Sequence, residues 1–396
     1  MRITDVEAVA IRVPNPAGTY WGAASWGAGA EGTLSPGAPV HERFVPSYDS
    51  TLDTVLVRIT TDSGLVGFGE AKAPVVPEVT RDVILGLLRD RVFGCDPRDV
   101  VTLWDRQYGS MWLRGHRTGF LLEAIAGVDT ALWDLIGKHT GESVSRLLGG
   151  RYRDRVPVYA SGIPGKLSGA SDRTRIEDEV RRLRDAGYGG VKIGGGQGVE
   201  VDLEAAEIAT TAAAKSVRVF FDAAARYDYS QAAPLADGLA RLGIGWLEAP
   251  MPAENIDDWV HLRARAALPL ATDLLVNRWE VLEYLTRSAC DVIQPDVSRA
   301  GGLTECRRIA DLTTAFGRRV VPHISIGSVV HVAASIHYAS TLPTLEMMEF
   351  WIGENPLNGG DLGAALRPEA GYVPVPEGPG LGIDIDWDRV RALAQP

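Results

Sequence analysis

From residue 155 onward the sequence repeats one unit, a short apolar strand pattern followed by a helical pattern. The eight strand patterns are, in order, VPVYAS, GGVKI, VRVFFD, IGWLEAP, LPLATD, CDVIQPD, RRVVPH and LEMMEF. Strands that alternate with helices form parallel sheets, because each helix carries the chain back to the edge where the next strand starts. Eight repeats of similar length predict an α/β fold with a closed parallel barrel. A doubly wound open sheet is the alternative, and it is less favoured because no dinucleotide fingerprint follows the first strand.

The residues before the repeats have a different texture. Residues 3–13 and 54–60 alternate apolar and polar positions, and TDSG then leads into LVGFGEA, which predicts a small antiparallel sheet. Residues 14–50 are rich in proline, glycine and aromatic residues, a composition typical of an irregular loop that covers a site as a lid. Helical patterns follow at residues 78–92, 98–112 and 119–138.

Composition and charge exclude several classes of protein. The chain has 396 residues, of which 45% are hydrophobic and 23% charged, as in ordinary globular proteins, and its net charge of −11 argues against nucleic-acid binding. The three cysteines lack CxxC spacing, so neither a disulfide framework nor a zinc cluster is expected. The N-terminus lacks a signal-peptide core and no stretch is apolar enough for a membrane span, so we expect a cytoplasmic protein with no membrane partner.

Residues that bind metals or protons stand at the ends of successive strand patterns, 23 to 30 residues apart. In a parallel barrel the carboxyl ends of all strands share one face, where active sites are built, so these residues should surround one pocket. Acidic residues also cap helices, but capping explains poorly a lysine, a histidine and five carboxylates at similar positions. The seven residues are Lys192, Asp222, Glu248, Asp273, Asp296, His323 and Glu349.

Two groups within this set indicate specific chemistry. Three neighbouring carboxylates, Asp222, Glu248 and Asp273, would repel one another unless a cation held them, and ligation by oxygen alone selects a hard ion such as Mg²⁺. A carboxylate from Asp296 beside His323 would fix the imidazole tautomer and raise its basicity, which suits a general base near neutral pH.

At this point the sequence resembles the enolase superfamily, and within it the acid-sugar dehydratases similar to mandelate racemase and galactonate dehydratase. The resemblance rests on the segments TDSGLVGFGEA, EAIAGVDTALWDLIGK, FFDA, WLEAP, LATD, DVIQPDVSRAGGLTE, VVPHISIG and LPTLEMMEF. It implies an α+β capping domain at residues 1–123 with a lid at 14–50, a (β/α)7β barrel of the TIM type at 124–350, and a C-terminal segment at 351–396 that returns to the cap.

The same resemblance implies roles for single residues. Lys192 matches the first lysine of the KxK motif of the family, and Glu349 matches the residue that hydrogen-bonds the enolate. Three departures stand out. The second lysine is absent, since Gly194 stands in its place, which disfavours a racemase with two opposed bases. Asp273 stands where Glu is usual, and Ala224 stands where some relatives carry Asn or a catalytic His.

We therefore expect a Mg²⁺-dependent dehydratase that removes the proton next to the carboxylate of a sugar acid and eliminates the β-hydroxyl. The expected product is a 2-keto-3-deoxy sugar acid. Mg²⁺ and Lys192 would neutralise the substrate carboxylate, His323 would be the base, and Glu349, if protonated, would hydrogen-bond the intermediate. Proton return from His323 predicts syn elimination, whereas an acid such as Tyr227, Arg226, Tyr20 or His41 predicts an anti course. We expect substrate contacts from Tyr20, Trp21, His41 and Arg226.

Two alternatives stay open. Epimerisation or lactone chemistry would use the same enolate, and deuterium entering the α-carbon of recovered substrate would identify epimerisation. A sugar-acid-binding protein with reduced catalysis would show ligand-induced stabilisation without turnover. In each case the partner is a small molecule, and the family resemblance favours a symmetric homo-oligomer.

Overall fold

The structure, a computed structural model, describes residues 1–15, 51–167 and 169–394, without the side chain of Asp361. Most of the predicted lid, including Tyr20, Trp21 and His41, lies outside the described residues, so these three site predictions stay predictions. Within the described ranges, no helix combines the length and the apolar character that crossing a bilayer requires.

The first described element is a three-stranded antiparallel sheet, as the alternating sequence patterns predict. Its strands β1 (Ile3–Pro14), β2 (Thr51–Thr61) and β3 (Val66–Ala71) pair in chain order. Alternate residues of β1 are buried, which gives the sheet one face against the protein and one face towards solvent. A short turn joins β2 to β3, and Gly64 adopts the positive φ of 80° that this turn requires.

A long helix covers the buried face of this sheet. It is α4 (Phe120–Thr140), and it lies so close to β3 that a Cβ atom on Gly69 would stand 1.9 Å from the carbonyl oxygen of Gly127. Glycine at this position is therefore what lets the helix pack.

The predicted domain boundary between residues 123 and 124 falls inside α4. Because this helix packs on the antiparallel sheet, we describe it with the cap. The remaining cap helices are α1 (Pro77–Val83), continued by a π-helical turn (Ile84–Leu88), α2 (Arg89–Val92), α3 (Val100–Gly109) and α5 (Val144–Leu147).

Eight parallel strands then form the barrel that the repeats predict. They are β4 (Arg155–Pro164), β5 (Gly190–Gly194), β6 (Arg218–Asp222), β7 (Leu247–Glu248), β8 (Leu270–Thr272), β9 (Val292–Ile293), β10 (Arg319–Val320) and β11 (Met348–Trp351). Each strand from β4 to β10 pairs with the next, and β11 pairs with β4. The backbone N–H of Glu349 donates to the carbonyl of Pro322 over 3.3 Å, which joins β11 to the chain just beyond β10. This ring confirms the (β/α)7β barrel over the open sheet.

Seven helices connect the barrel strands and pack around them. They are α6 (Ala170–Asp185), α7 (Val199–Ala213), α8 (Tyr229–Leu242), α9 (Ile256–Arg265), α10 (Arg278–Thr286), α11 (Gly302–Ala315) and α12 (Val329–Ser340). Inside the ring, a layer of buried hydrophobic side chains fills the barrel and forms the floor of the candidate site. The floor consists of Tyr159, Phe220, Trp246, Ala271, Val292, Val321 and Met347.

The C-terminal segment contacts both the barrel and the antiparallel sheet. Strand β12 (Tyr372–Pro374) pairs antiparallel with β4, and helix α13 (Trp387–Ala392) places Arg391 2.6 Å from Glu7 of β1. One buried carboxylate ties the pieces together. Asp134 of α4 accepts hydrogen bonds from the backbone N–H groups of Phe68 and Leu381, over 2.8 and 2.9 Å.

Replacing Asp134 with alanine should lower the free energy of unfolding by about 2–3 kcal/mol, because two buried N–H groups and Lys138 lose a charged acceptor. Urea unfolding followed by circular dichroism measures this loss. The control is Asp388→Ala, since Asp388 pairs with Arg391 but its side chain is 93% exposed, and it should change stability by less than about 0.5 kcal/mol. Equal effects of the two substitutions would contradict the linking role of Asp134.

Candidate active site

The candidate site lies directly above the apolar floor, at the carboxyl end of the barrel. Polar residues follow floor residues at a spacing of two, and alternation along a strand turns both members of such a pair towards the barrel interior. In this way Asp222 follows Phe220, and Glu248 follows Trp246. The polar layer consists of Lys192, Asp222, Glu248, Asp273, Gln294, His323 and Glu349. Six of these seven belong to the predicted set; on β9 the layer contains Gln294, and Asp296 lies two residues further out.

A buried lysine stands at the centre of this layer. The Nζ atom of Lys192 lies 2.5 Å from Glu248, 2.7 Å from Glu349 and 3.6 Å from Asp222. Burial lowers the pKa of Lys192, but the carboxylates of Glu248 and Glu349 outweigh it and raise that pKa well above its usual range. The Lys192 ammonium therefore compensates part of the negative charge of the site.

The three predicted metal ligands occupy neighbouring strands. Asp222 pairs in register with Glu248, and Asp273 follows the next strand. Burial raises the pKa of Asp222 and raises that of Glu248 to about 8. Burial also acts on Asp273, but nearby His323 and Arg299 outweigh it and lower its pKa. The ion pairs therefore do not fully compensate the negative charge of Asp222 and Glu248.

The donor set fits a hard divalent cation, because all three side chains offer carboxylate oxygens and two of them are buried with raised pKa values. Trp246 and Gln294 orient Glu248, donating to its Oε2 over 3.1 and 2.8 Å. Among the described residues, no three acidic, histidine or cysteine side chains already converge on one point as a formed metal site. Asp222, Glu248 and Asp273 are the residues that would hold the family-implied Mg²⁺.

The structure brings Asp296 and His323, the two residues of the predicted dyad, into hydrogen-bond contact. The Nδ1 atom of His323 lies 2.9 Å from Oδ2 of Asp296, and the backbone N–H of Ser298 donates to the other carboxylate oxygen over 2.9 Å. A proton on Nδ1 leaves Nε2 as the basic nitrogen. That Nε2 atom lies 3.6 Å from Glu349 and 3.7 Å from Asp273, so it faces the carboxylate layer.

The structure shows the hydrogen-bond partners of two further residues named in the expected mechanism. Glu349 accepts hydrogen bonds from Ile324 N–H and Lys192, and although burial opposes its ionisation, the charges of Lys192 and His323 lower its pKa. Its predicted hydrogen bond to the intermediate stays a prediction. Tyr227 donates to Asp202 over 2.5 Å and accepts from Gly198 N–H, which commits it to the loop after β5 and makes it a poor acid.

Arg226 is buried in the same region. Its side chain packs so closely against Gly196 that a Cβ atom there would stand 2.6 Å from Cδ of Arg226. Substrate binding by Arg226 stays a prediction.

The sequence did not reveal three residues that contact Asp296 or belong to the polar layer. Lys72 donates to Oδ2 of Asp296 over 3.2 Å, and Nε2 of His331 lies 3.0 Å from Oδ1 of the same carboxylate. Gln294 could have been found, because it stands two residues before Asp296 on the same strand pattern. Lys72 and His331 carried no comparable signal, because their positions are set by tertiary packing.

Comparison with known proteins identifies the family of the chain. Residues 38–149 match the family model of the mandelate racemase / muconate lactonizing enzyme N-terminal domain, and residues 175–389 match the enolase C-terminal domain-like model. The chain is 35% identical to a D-galactarolactone cycloisomerase of Agrobacterium fabrum over 351 residues, which cover 86% of this chain and 91% of the relative. It is 31% identical to a D-galactonate dehydratase of Variovorax paradoxus over 354 residues, 85% of this chain and 90% of the relative.

A solved structure shows the same architecture. The 3,6-anhydro-D-galactonate cycloisomerase from Zobellia galactanivorans superposes with a TM-score of 0.83 and 26% identity, covering 100% of both chains. Both halves of the chain thus match one family in sequence, and the whole chain matches a cap and barrel in structure. The chain belongs to the mandelate racemase / muconate lactonizing enzyme family of the enolase superfamily.

Proposed function

We propose that this enzyme is a Mg²⁺-dependent dehydratase of a sugar acid. It removes the proton α to the carboxylate and expels the β-hydroxyl as water, which leaves a 2-keto-3-deoxy acid. The observation that carries the proposal is the Asp296–His323 dyad, whose basic Nε2 faces a buried layer of carboxylates around Lys192. The similarity to a D-galactonate dehydratase supports the same reaction class.

Asp222, Glu248 and Asp273 would hold the metal ion. When bound, Mg²⁺ supplies Lewis-acid stabilisation of the negative charge that develops on the substrate carboxylate. Lys192 adds a fixed positive charge in the same layer, where the low dielectric of the interior strengthens it. The apolar floor excludes water from beneath the site.

His323 takes the α-proton on Nε2, and Asp296 stabilises the imidazolium that forms through the bond to Nδ1. The same imidazolium then holds the proton that the departing hydroxyl needs. Because Tyr227 is committed to Asp202, the proposal favours His323 as the acid and a syn elimination.

A second candidate is cycloisomerisation of a sugar-acid lactone. It rests on the 35% identity to a D-galactarolactone cycloisomerase. The α C–H bond breaks as before, but the bond from the β-carbon to the lactone oxygen breaks in place of the bond to a hydroxyl. The leaving group is then a carboxylate that needs no proton, so His323 is needed only as the base. The enol that remains becomes a ketone, so the product is an isomer of the substrate.

The predicted homo-oligomer and cytoplasmic location stay predictions under both candidates.

A substrate screen with product masses separates the two candidates. The purified enzyme with Mg²⁺ is incubated with aldonic acids, aldaric acids and their lactones, and keto products are detected with semicarbazide. We expect a metal-dependent keto product that has lost one water from a linear acid. A keto product of unchanged mass from a lactone would identify the cycloisomerase. No keto product from any compound would contradict both.

Replacing His323 with asparagine should lower kcat by at least about 10²-fold on the substrate found, because the general base is lost. The control is His139→Asn, an exposed histidine on α4, which should keep full activity. Steady-state kinetics at saturating Mg²⁺ give the comparison. Activity of His323→Asn within twofold of the wild type would remove His323 from the mechanism.

Mg²⁺ should raise the thermal unfolding midpoint of the enzyme without substrate, because it binds the folded site and relieves the buried carboxylates. Scanning calorimetry in Mg²⁺ and in EDTA measures the shift. Asp222→Asn should reduce the shift, whereas Asp237→Asn, which alters a surface ion pair with Arg265 on the barrel helices, should keep it. A wild-type midpoint that is the same in Mg²⁺ and EDTA would contradict the metal site.

A further inference from the structure

We propose that Lys72, a residue of the capping domain, is a positioning residue for the catalytic base. It holds the Asp296 carboxylate in the orientation that aligns His323. The inference rests on the proposed role of His323 and adds to it a contribution from a separate domain.

Lys72 follows β3 directly and makes three contacts with the barrel. Its backbone N–H donates to the carbonyl of Ser298 over 3.0 Å. Its Nζ atom donates to Oδ2 of Asp296 over 3.2 Å and also to the hydroxyl of Ser325. The residue is 5% exposed, so these contacts are made away from bulk water, where charged hydrogen bonds are strongest.

These contacts bridge the two strand ends that carry the dyad. Asp296 and Ser298 follow β9, whereas His323 and Ser325 follow β10. Lys72 is therefore bonded to both strand ends, through Asp296 after β9 and Ser325 after β10. Its ammonium and the imidazole Nδ1 share the same oxygen, Oδ2 of Asp296, while Ser298 N–H donates to Oδ1. With both oxygens held, the carboxylate cannot rotate without breaking a bond.

Charge supports the same role. Asp296 is buried, and burial alone would raise its pKa, but His331, Lys72 and His323 outweigh burial and hold that pKa well below its usual range. A buried carboxylate that stays ionised can accept a hydrogen bond from Nδ1–H of His323, which leaves Nε2 as the nitrogen that can take a proton.

A second cap residue secures the same region. Glu70, two residues before Lys72, accepts hydrogen bonds from the backbone N–H groups of Ser328 and His331, each over 3.0 Å. These groups lie at the start of α12, which begins just after the loop that carries His323 and Ser325. Glu70 thus binds the end of this loop, where α12 begins, whereas Lys72 binds the loop earlier, at Ser325.

The test uses Lys72→Met, which removes the ammonium but keeps much of the apolar stem, and Lys72→Arg, which keeps a cation. Lys72→Met should lower kcat by about 10- to 100-fold with KM within about twofold, since misalignment of the base affects the chemical step more than binding. Lys72→Arg should recover part of kcat. The matched control is Lys138→Met, because Lys138 also belongs to the cap and pairs with a buried aspartate, Asp134, over 2.7 Å, away from the dyad.

A spectroscopic readout makes the test independent of turnover. ¹⁵N NMR of the metal-free enzyme reports the imidazole tautomer of His323, whose signals are identified by their absence in His323→Asn. We expect Lys72→Met to change these signals and Lys138→Met to leave them unchanged.

The inference is overturned if Lys72→Met keeps both the wild-type imidazole signals and a kcat within twofold of the wild type. It is also overturned if Lys138→Met reproduces the loss of kcat, because the effect would then be one of cap stability. If the wild type itself turns over no sugar acid, the proposed function fails, and the imidazole signals alone decide whether Lys72 positions His323.

Discussion

The site depends on one constraint, the burial of several carboxylates inside a barrel that offers few cations. Lys192 compensates Glu248 and Glu349 directly and Asp222 at longer range, and Arg299 lies 3.4 Å from Asp273. Buried charges without partners cost several kcal/mol each, so such a layer is stable only with a bound cation or with protons on its acids. This imbalance makes the layer a fitting place for a divalent cation.

The barrel and the cap contribute differently to this arrangement. The barrel sets the depth of each side chain, because floor residues such as Phe220 and Trp246 fix the register of Asp222 and Glu248 two residues later. The cap acts on the base. The segment that ends β3 reaches into the loops after β9 and β10, so the orientation of His323 depends on a domain that precedes the barrel in sequence.

Much of this could be predicted from the sequence. The strand-then-helix repeat predicts the barrel, and polar residues at strand ends predict six members of the layer. The sequence pattern predicts that Asp296 belongs to the polar layer, but it lies two residues beyond Gln294, outside that layer. A strand pattern such as CDVIQPD does not show where the strand ends. Lys72 could not be found, since it lies 224 residues from Asp296 and only tertiary packing joins them. The hydrogen bond from Tyr227 to Asp202 could not be predicted either, because a tyrosine near a strand end can serve as an acid or as a structural donor.

The central claim is that the buried dyad removes the proton α to a carboxylate. The most direct measurement compares kcat/KM for a substrate carrying hydrogen at the α-carbon with that for the same substrate carrying deuterium there. The account predicts a slower reaction with deuterium in the wild-type enzyme and loss of the label from that position. Equal rates, together with a product that retains the deuterium, would contradict it.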